Sequence, residues 1–110
     1  MAKTMTGAPG FGLVVDFEDG DPTVALRGEA DGAVADQLWE CLAGVSERAS
    51  RVTVDLAATS FLDSSILSVL VRAQNGLRAG GGGLSVTGAH PRLYRLFEIT
   101  GLTHFLAVRP

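Results

Sequence analysis

Three adjacent side chains, Asp63-Ser64-Ser65, hold the densest chemistry in the sequence, one carboxylate beside two hydroxyls. A serine hydroxyl becomes a nucleophile when a base lies within hydrogen-bond reach. Displayed on a rigid support, it can instead accept a phosphate. The first use needs a histidine, and only His90 and His104 are available. His90 is explained as the residue before Pro91 and His104 as the start of an apolar segment. No Gly-x-Ser-x-Gly elbow surrounds Ser64, so hydrolase chemistry is disfavoured. The triplet also has a structural use, because Asp and Ser oxygens accept bonds from the first backbone N–H groups of a helix. An anion added there gains roughly 0.3–1 kcal/mol from the helix macrodipole, so a phosphate on Ser64 is locally tolerated.

The surrounding pattern puts the triplet at a strand-to-helix corner. Val52, Val54 and Leu56 alternate with polar residues and predict a strand over Arg51 to Ala57. Ile66, Val69, Leu70, Ala73 and Leu77 fall on one helix face, predicting a helix from Ser64 or Ser65 to about Ala79. The run Gly80 to Gly83 ends it. Upstream, Phe11, Leu13, Val15 and Phe17 predict one strand and Thr23 to Arg27 another, joined as a hairpin through Asp19-Gly20 and Gly20-Asp21-Pro22. Asp31 or Gly32 caps a helix of about 15 residues whose inner face holds Val34, Leu38, Cys41 or Leu42, and Val45. Leu84, Val86 and Gly88 read as a fourth strand. A third helix opens at His90-Pro91, turns Leu93, Leu96 and Phe97 inward and stops at Gly101. His104 to Val108 reads as a short last strand. Residues 1–10 are small, polar and aperiodic, a flexible leader to a single domain over 11–110.

Composition removes several function classes. With 110 residues, 46% of them hydrophobic, the chain suits one core. Its nine basic residues form no cluster and the net charge is −3, which argues against nucleic acid. Residues 1–63 hold eleven acids and four bases, residues 64–110 one acid and five bases, so the acidic side precedes the serines and suits a basic partner. Cys41 is the only cysteine and falls on a helix stripe as a small core residue. Two histidines and one cysteine offer no usual metal-ligand pairing. The glycine run follows a helix and lacks Gly-Lys-Ser/Thr, so no nucleotide cofactor is expected. A receiver-like phosphoaspartate at Asp63 would need a positioned lysine, and the only lysine is Lys3. No apolar run is long enough to span a membrane, and the start lacks the apolar segment of a secretory signal. The expectation is a cytoplasmic protein without direct membrane insertion.

Thr59-Ser60-Phe61-Leu62-Asp63-Ser64-Ser65, followed by Leu67 and Val69, resembles the signature of the STAS domain family, the bacterial anti-sigma factor antagonists. Gly28-Glu29-Ala30-Asp31 resembles the family's strand-to-helix segment. The stretch from Pro91 through Arg92, Leu93, Tyr94, Arg95, Leu96, Phe97, Glu98, Ile99, Thr100 and Gly101 to Leu102 is similar to its closing helix and turn. The resemblance runs roughly from Phe11 to Val108. It implies an α/β fold, a mixed, mostly parallel sheet of about five strands with helices packed on one face, and the Asp31 and Asp63-Ser64 corners on one rim.

The resemblance also implies a function. Such a protein, not itself an enzyme and without a cofactor, binds an anti-sigma factor that is also a serine kinase and so releases a sigma factor. The kinase uses ATP to phosphorylate the first serine after the aspartate, here Ser64 with Ser65 as second choice, and a serine phosphatase reactivates the protein. The partner-binding residues implied are Asp31, Asp63, Ser64, Ser65, Ile66 and Ser68. Where the family pattern is Asp-Ser-Ser-Gly-Leu-Gly, Ile66 and Ser68 replace the two glycines, and Ile66 is read as extending the buried helix stripe. An alternative within the fold is a constitutive docking subunit of a membrane transport or lipid-trafficking complex that is not phosphorylated.

Overall fold

In the computed structural model, which describes residues 3–8, 10–17 and 20–110, the alternation of Val52, Val54 and Leu56 opens a strand longer than its period predicts. This strand, β4, covers Arg51–Leu62. It pairs in parallel with β3 (Thr23–Ala30) on one side and with β5 (Gly83–Thr87) on the other. Beyond β3 lie β2 (Phe11–Asp16) and β1 (Lys3–Ala8), each antiparallel to its neighbour, so the sheet order β1-β2-β3-β4-β5 follows the chain. The expected hairpin of β2 and β3 is present; Asp19, assigned to its turn, lies outside the described residues.

The period-two reading stopped at Ala57 because β4 carries two extra residues relative to β3. Register shifts fall between Ala25 and Arg27 and between Gly28 and Glu29. Each shift resets the alternation, so the buried residues after Leu56 are Thr59 and Leu62, three apart. The buried Thr59 hydroxyl donates to Leu26 O at 2.7 Å beside the first shift.

Helices follow the two inner parallel strands. A 3-10 turn (Gly32–Val34) leads into α1 (Ala35–Ser46), and together they make up the predicted first helix. Helix α2 runs Ser64–Ala79 and α3 runs Pro91–Ile99. The end of α2 is set by Gly81, at φ +86°, which lets Gly82 N donate back to Leu77 O at 2.8 Å. Leu38, Leu42 and Val45 of α1, Ile66, Leu70 and Leu77 of α2, and Leu93 and Phe97 of α3 join the strand residues Leu13, Leu26, Val54 and Leu56 in one core. Cys41 packs at its margin, half-buried, and burial pushes its thiol pKa up.

Two segments depart from the sequence reading. Lys3–Ala8, within the span read as a leader, pairs with β2; Met1, Ala2 and Pro9 of that span lie outside the described residues. The expected last strand, His104 to Val108, is a set of turns that touches the sheet through one parallel bridge, Val86 to Val108. Extension fails there because Ala107 has φ +47° and Leu106 N and Val108 N donate back to Leu102 O and Thr103 O.

This segment nevertheless closes the β5 edge. Val86 N donates to Leu106 O at 3.1 Å and Arg109 N to Val86 O at 2.9 Å. Gln74, only 2% exposed, supplies the rest from inside α2. Its Oε1 accepts from Leu84 N at 2.6 Å, and its Nε2 donates to Leu84 O at 2.9 Å and to Phe105 O at 2.7 Å. A buried amide with three partners is a strong tie, since each partner left unpaired costs about 1–3 kcal/mol. Gln74→Leu keeps the volume, strands Leu84 N and O and leaves Phe105 O only a long bond from Arg78 Nη2 at 3.4 Å; it should lower stability by about 2–3 kcal/mol, read as a lower urea midpoint at unchanged slope.

Candidate functional site

The parallel pairing of β3 with β4 decides where the chemistry gathers. Ala30 and Leu62, the last residues of the two strands, are register partners, so the chain leaves both strands on the same rim. Asp31 and Asp63 follow immediately, one on each corner. This is the carboxyl end of parallel strands, where α/β sheets characteristically present their sites.

Asp63 joins the corners. Its Oδ1 accepts from Ser65 N at 3.0 Å and from Ile66 N at 3.3 Å, capping α2, while its Oδ2 accepts from Gly32 N at 3.0 Å in the other corner. Asp31 caps locally, accepting from Ala33 N at 2.9 Å through Oδ1, and remains exposed. The corners approach so closely that a Cβ on Gly32 would lie 3.2 Å from Ser65 Oγ, a contact Ser65 would have to ease by a few tenths of an ångström.

The hydroxyls near this corner are not equivalent. Ser64, the first residue of α2, is exposed, and its hydroxyl has no hydrogen-bond partner among the described residues. Ser65 is half-buried against Gly32. Thr59 is buried and already bonded. A bulky reagent approaching from solvent therefore meets Ser64 first.

Beside Ser64 lies a groove of about 460 Å³ between α2 and the end of α3, lined by Ser64, Leu67, Ser68, Val71, Arg72, Thr100 and Leu102. Arg72 is its only charged lining residue among those described, and its guanidinium stacks 3.8 Å from the centre of the Trp39 ring on α1. Neither histidine lines this groove, so no base stands beside Ser64 there. Among the described residues, no three His, Cys, Asp or Glu side chains gather to hold a metal ion, and no helix is long and apolar enough to cross a membrane.

Of the six predicted rim residues, the structure brings Asp31, Asp63, Ser64 and Ser65 together and sets Ser68 one turn further along α2. Ile66 needs correcting as a contact residue. It is fully buried, because its position on the inner stripe points it into the core. Two features escaped the sequence reading. One is Phe61, 47% exposed at the end of β4 beside Glu29. The other is the groove, whose signal was present in Leu67 and Val71, a second apolar line at i and i+4 outside the main stripe.

Comparisons with known proteins agree with this geometry. A family model described as "Mlab, STAS domain" matches residues 13–108. The anti-sigma-B factor antagonist of Listeria monocytogenes is 34% identical over 87 residues, covering 78% of this chain and 76% of that protein. The protein of the same name from Bacillus subtilis is 32% identical over 94 residues, covering 86% of each. Among solved structures, an anti-sigma factor antagonist from Mycobacterium paratuberculosis superposes with a TM-score of 0.83 at 27% identity, over 96% of this chain and 91% of that one.

The double use of Asp63 is directly testable. Asp63→Asn keeps an acceptor for Ser65 N but turns an amide N–H toward Gly32 N–H, and should cost about 1 kcal/mol. Asp63→Ala loses the cap as well and should cost about 2 kcal/mol or more. Urea unfolding should rank wild type above Asn and Asn above Ala; equal midpoints would remove Asp63 from this role.

Proposed function

The chain belongs to the STAS domain family, and on that premise we propose that it is a cytoplasmic anti-sigma factor antagonist, switched off by phosphorylation of Ser64. Its α2 rim binds an anti-sigma factor that is itself a serine kinase, and a sigma factor is released. A serine phosphatase restores the binding form. The observation that carries this reading is the exposed, unpartnered hydroxyl of Ser64 at the first position of a helix whose start is otherwise occupied.

That occupation explains how a phosphate acts as a switch. The amides of Ser65 and Ile66 already donate to Asp63, so the helix start has two fewer donors for a phosphate on Ser64. The added charge, about −1.5 to −2 at neutral pH, stands beside a carboxylate and at the mouth of a mostly apolar groove. A partner fitted to a neutral hydroxyl must then desolvate a dianion. A hundredfold loss of affinity needs only about 2.7 kcal/mol, and the protein does not have to refold to produce it.

The role of Asp31 follows from its exposure. Its cap tolerates asparagine, so any effect of charge removal belongs to the partner.

Phosphate mapping, unfolding, calorimetry and association kinetics test the proposal. With ATP and its cognate anti-sigma factor kinase, wild type should take phosphate on Ser64. Ser64→Ala should take none there, with stability within about 0.5 kcal/mol of wild type, and Ser64→Glu should bind the partner at least tenfold more weakly by calorimetry. Full affinity of Ser64→Glu together with unmodified wild type would favour the constitutive docking subunit. Asp31→Asn should slow association severalfold at low salt and flatten its salt dependence, with unfolding unchanged. Equal association rates would return Asp31 to capping alone.

A further inference from the structure

Two serine hydroxyls stand free on the outer side of α2. Ser68, like Ser64, is exposed and has no hydrogen-bond partner among the described residues. Ser65 also lacks a partner among the described residues but is half-buried against Gly32, and two hydroxyls at the ends of other helices are tied back. Ser46 Oγ donates to Leu42 O at 2.7 Å, and Thr100 Oγ1 to Leu96 O at 2.9 Å. The four-residue step sets Ser68 about 6 Å below Ser64 along the helix axis. The next such step reaches Arg72, and all three residues line the same groove.

Among the described residues, the Arg72 guanidinium is held only by its stack on Trp39. Helical side chains lean toward the N-terminus, so Arg72 leans toward Ser68, four residues before it. An anion at one position and a cation four residues later is the pairing that helices favour. We propose that Ser68 is a second phosphoacceptor, and that Arg72 leaves Trp39 to grip its phosphate. This rests on the reading of the chain as a serine kinase substrate. The γ-phosphoryl group of ATP passes to Ser68 Oγ, forming a P–O bond as the bond to the β,γ-bridging oxygen breaks. ADP leaves, and the hydroxyl proton goes to the kinase's base.

The two phosphates do different work. On Ser64 the charge meets Asp63 and is left for the partner to desolvate. On Ser68 it meets a guanidinium of the same helix, and the resulting pair lies across the groove. Phosphorylation of Ser68 thus closes the groove from within.

Intact-mass and fragment mapping after incubation with the kinase and ATP tests the site. Wild type should reach two phosphates, Ser64→Ala one on Ser68, and the double alanine variant none. A single phosphate on Ser64 of wild type, with none on Ser64→Ala, overturns the Ser68 site and leaves the Ser64 reading standing; unmodified wild type overturns both. The grip is tested without any kinase by placing phosphoserine at position 68 through codon suppression. Trp39 is the only tryptophan, so its emission maximum should shift when Arg72 leaves, and Arg72→Gln should abolish the difference. An unshifted maximum with phosphoserine at 68 overturns the grip.

Discussion

One carboxylate organises this rim. The side chain of Asp63 caps α2 with one oxygen and holds the backbone of Gly32 with the other, tying together two corners that lie 31 residues apart in the chain. The parallel pairing of Ala30 with Leu62 makes that bond reachable, and the missing side chain at Gly32 lets Ser65 sit against the turn. The helix start is therefore a rigid fixture before any partner arrives. Both Asp63 oxygens are already occupied by backbone N–H groups, while the Ser64 hydroxyl is left facing solvent.

The same fixture separates accessible from inaccessible hydroxyls. The register shifts in β4 turn Thr59 inward, where it bonds Leu26 O, and they set Leu62 opposite Ala30, so that the corner comes two residues later than the register at the start of the strand would place it. Phe61, on the opposite side of the strand from Leu62, is left exposed beside Glu29. The rim thus presents an aromatic ring, carboxylates and a free serine together. Such groups can hydrogen-bond and stack in fixed directions and need no reactive constellation.

At the other side of the sheet the architecture does the reverse. Gln74 and the turns after Leu102 satisfy the outward backbone groups of Leu84 and Val86, so this edge does not offer them as a template for another strand. The same turns supply Leu102 to the groove beside Ser64. Edge protection and the shape of the groove are therefore parts of one packing solution, joined through α2.

Local order in the chain was enough for the bounds of α2, for its Asp63 cap, for the glycine stop and for the buried stripe through Ile66, Leu70 and Leu77. Capping and helical periodicity act over four residues or fewer, so a short window contains their cause. The continuation of β4 past Ala57 was hidden because bulges are set by the neighbouring strand, which breaks the period used to find it. His104 to Val108 looked extended by composition, yet the left-handed Ala107 and the bonds back to Leu102 and Thr103 curl it. The inequality of Ser64 and Ser65 and the meeting of Ser64, Arg72 and Leu102 around one groove emerge from contacts between elements distant in the chain. No spacing within a single segment encodes those contacts; they follow from how the strands pair and how the helices pack on them.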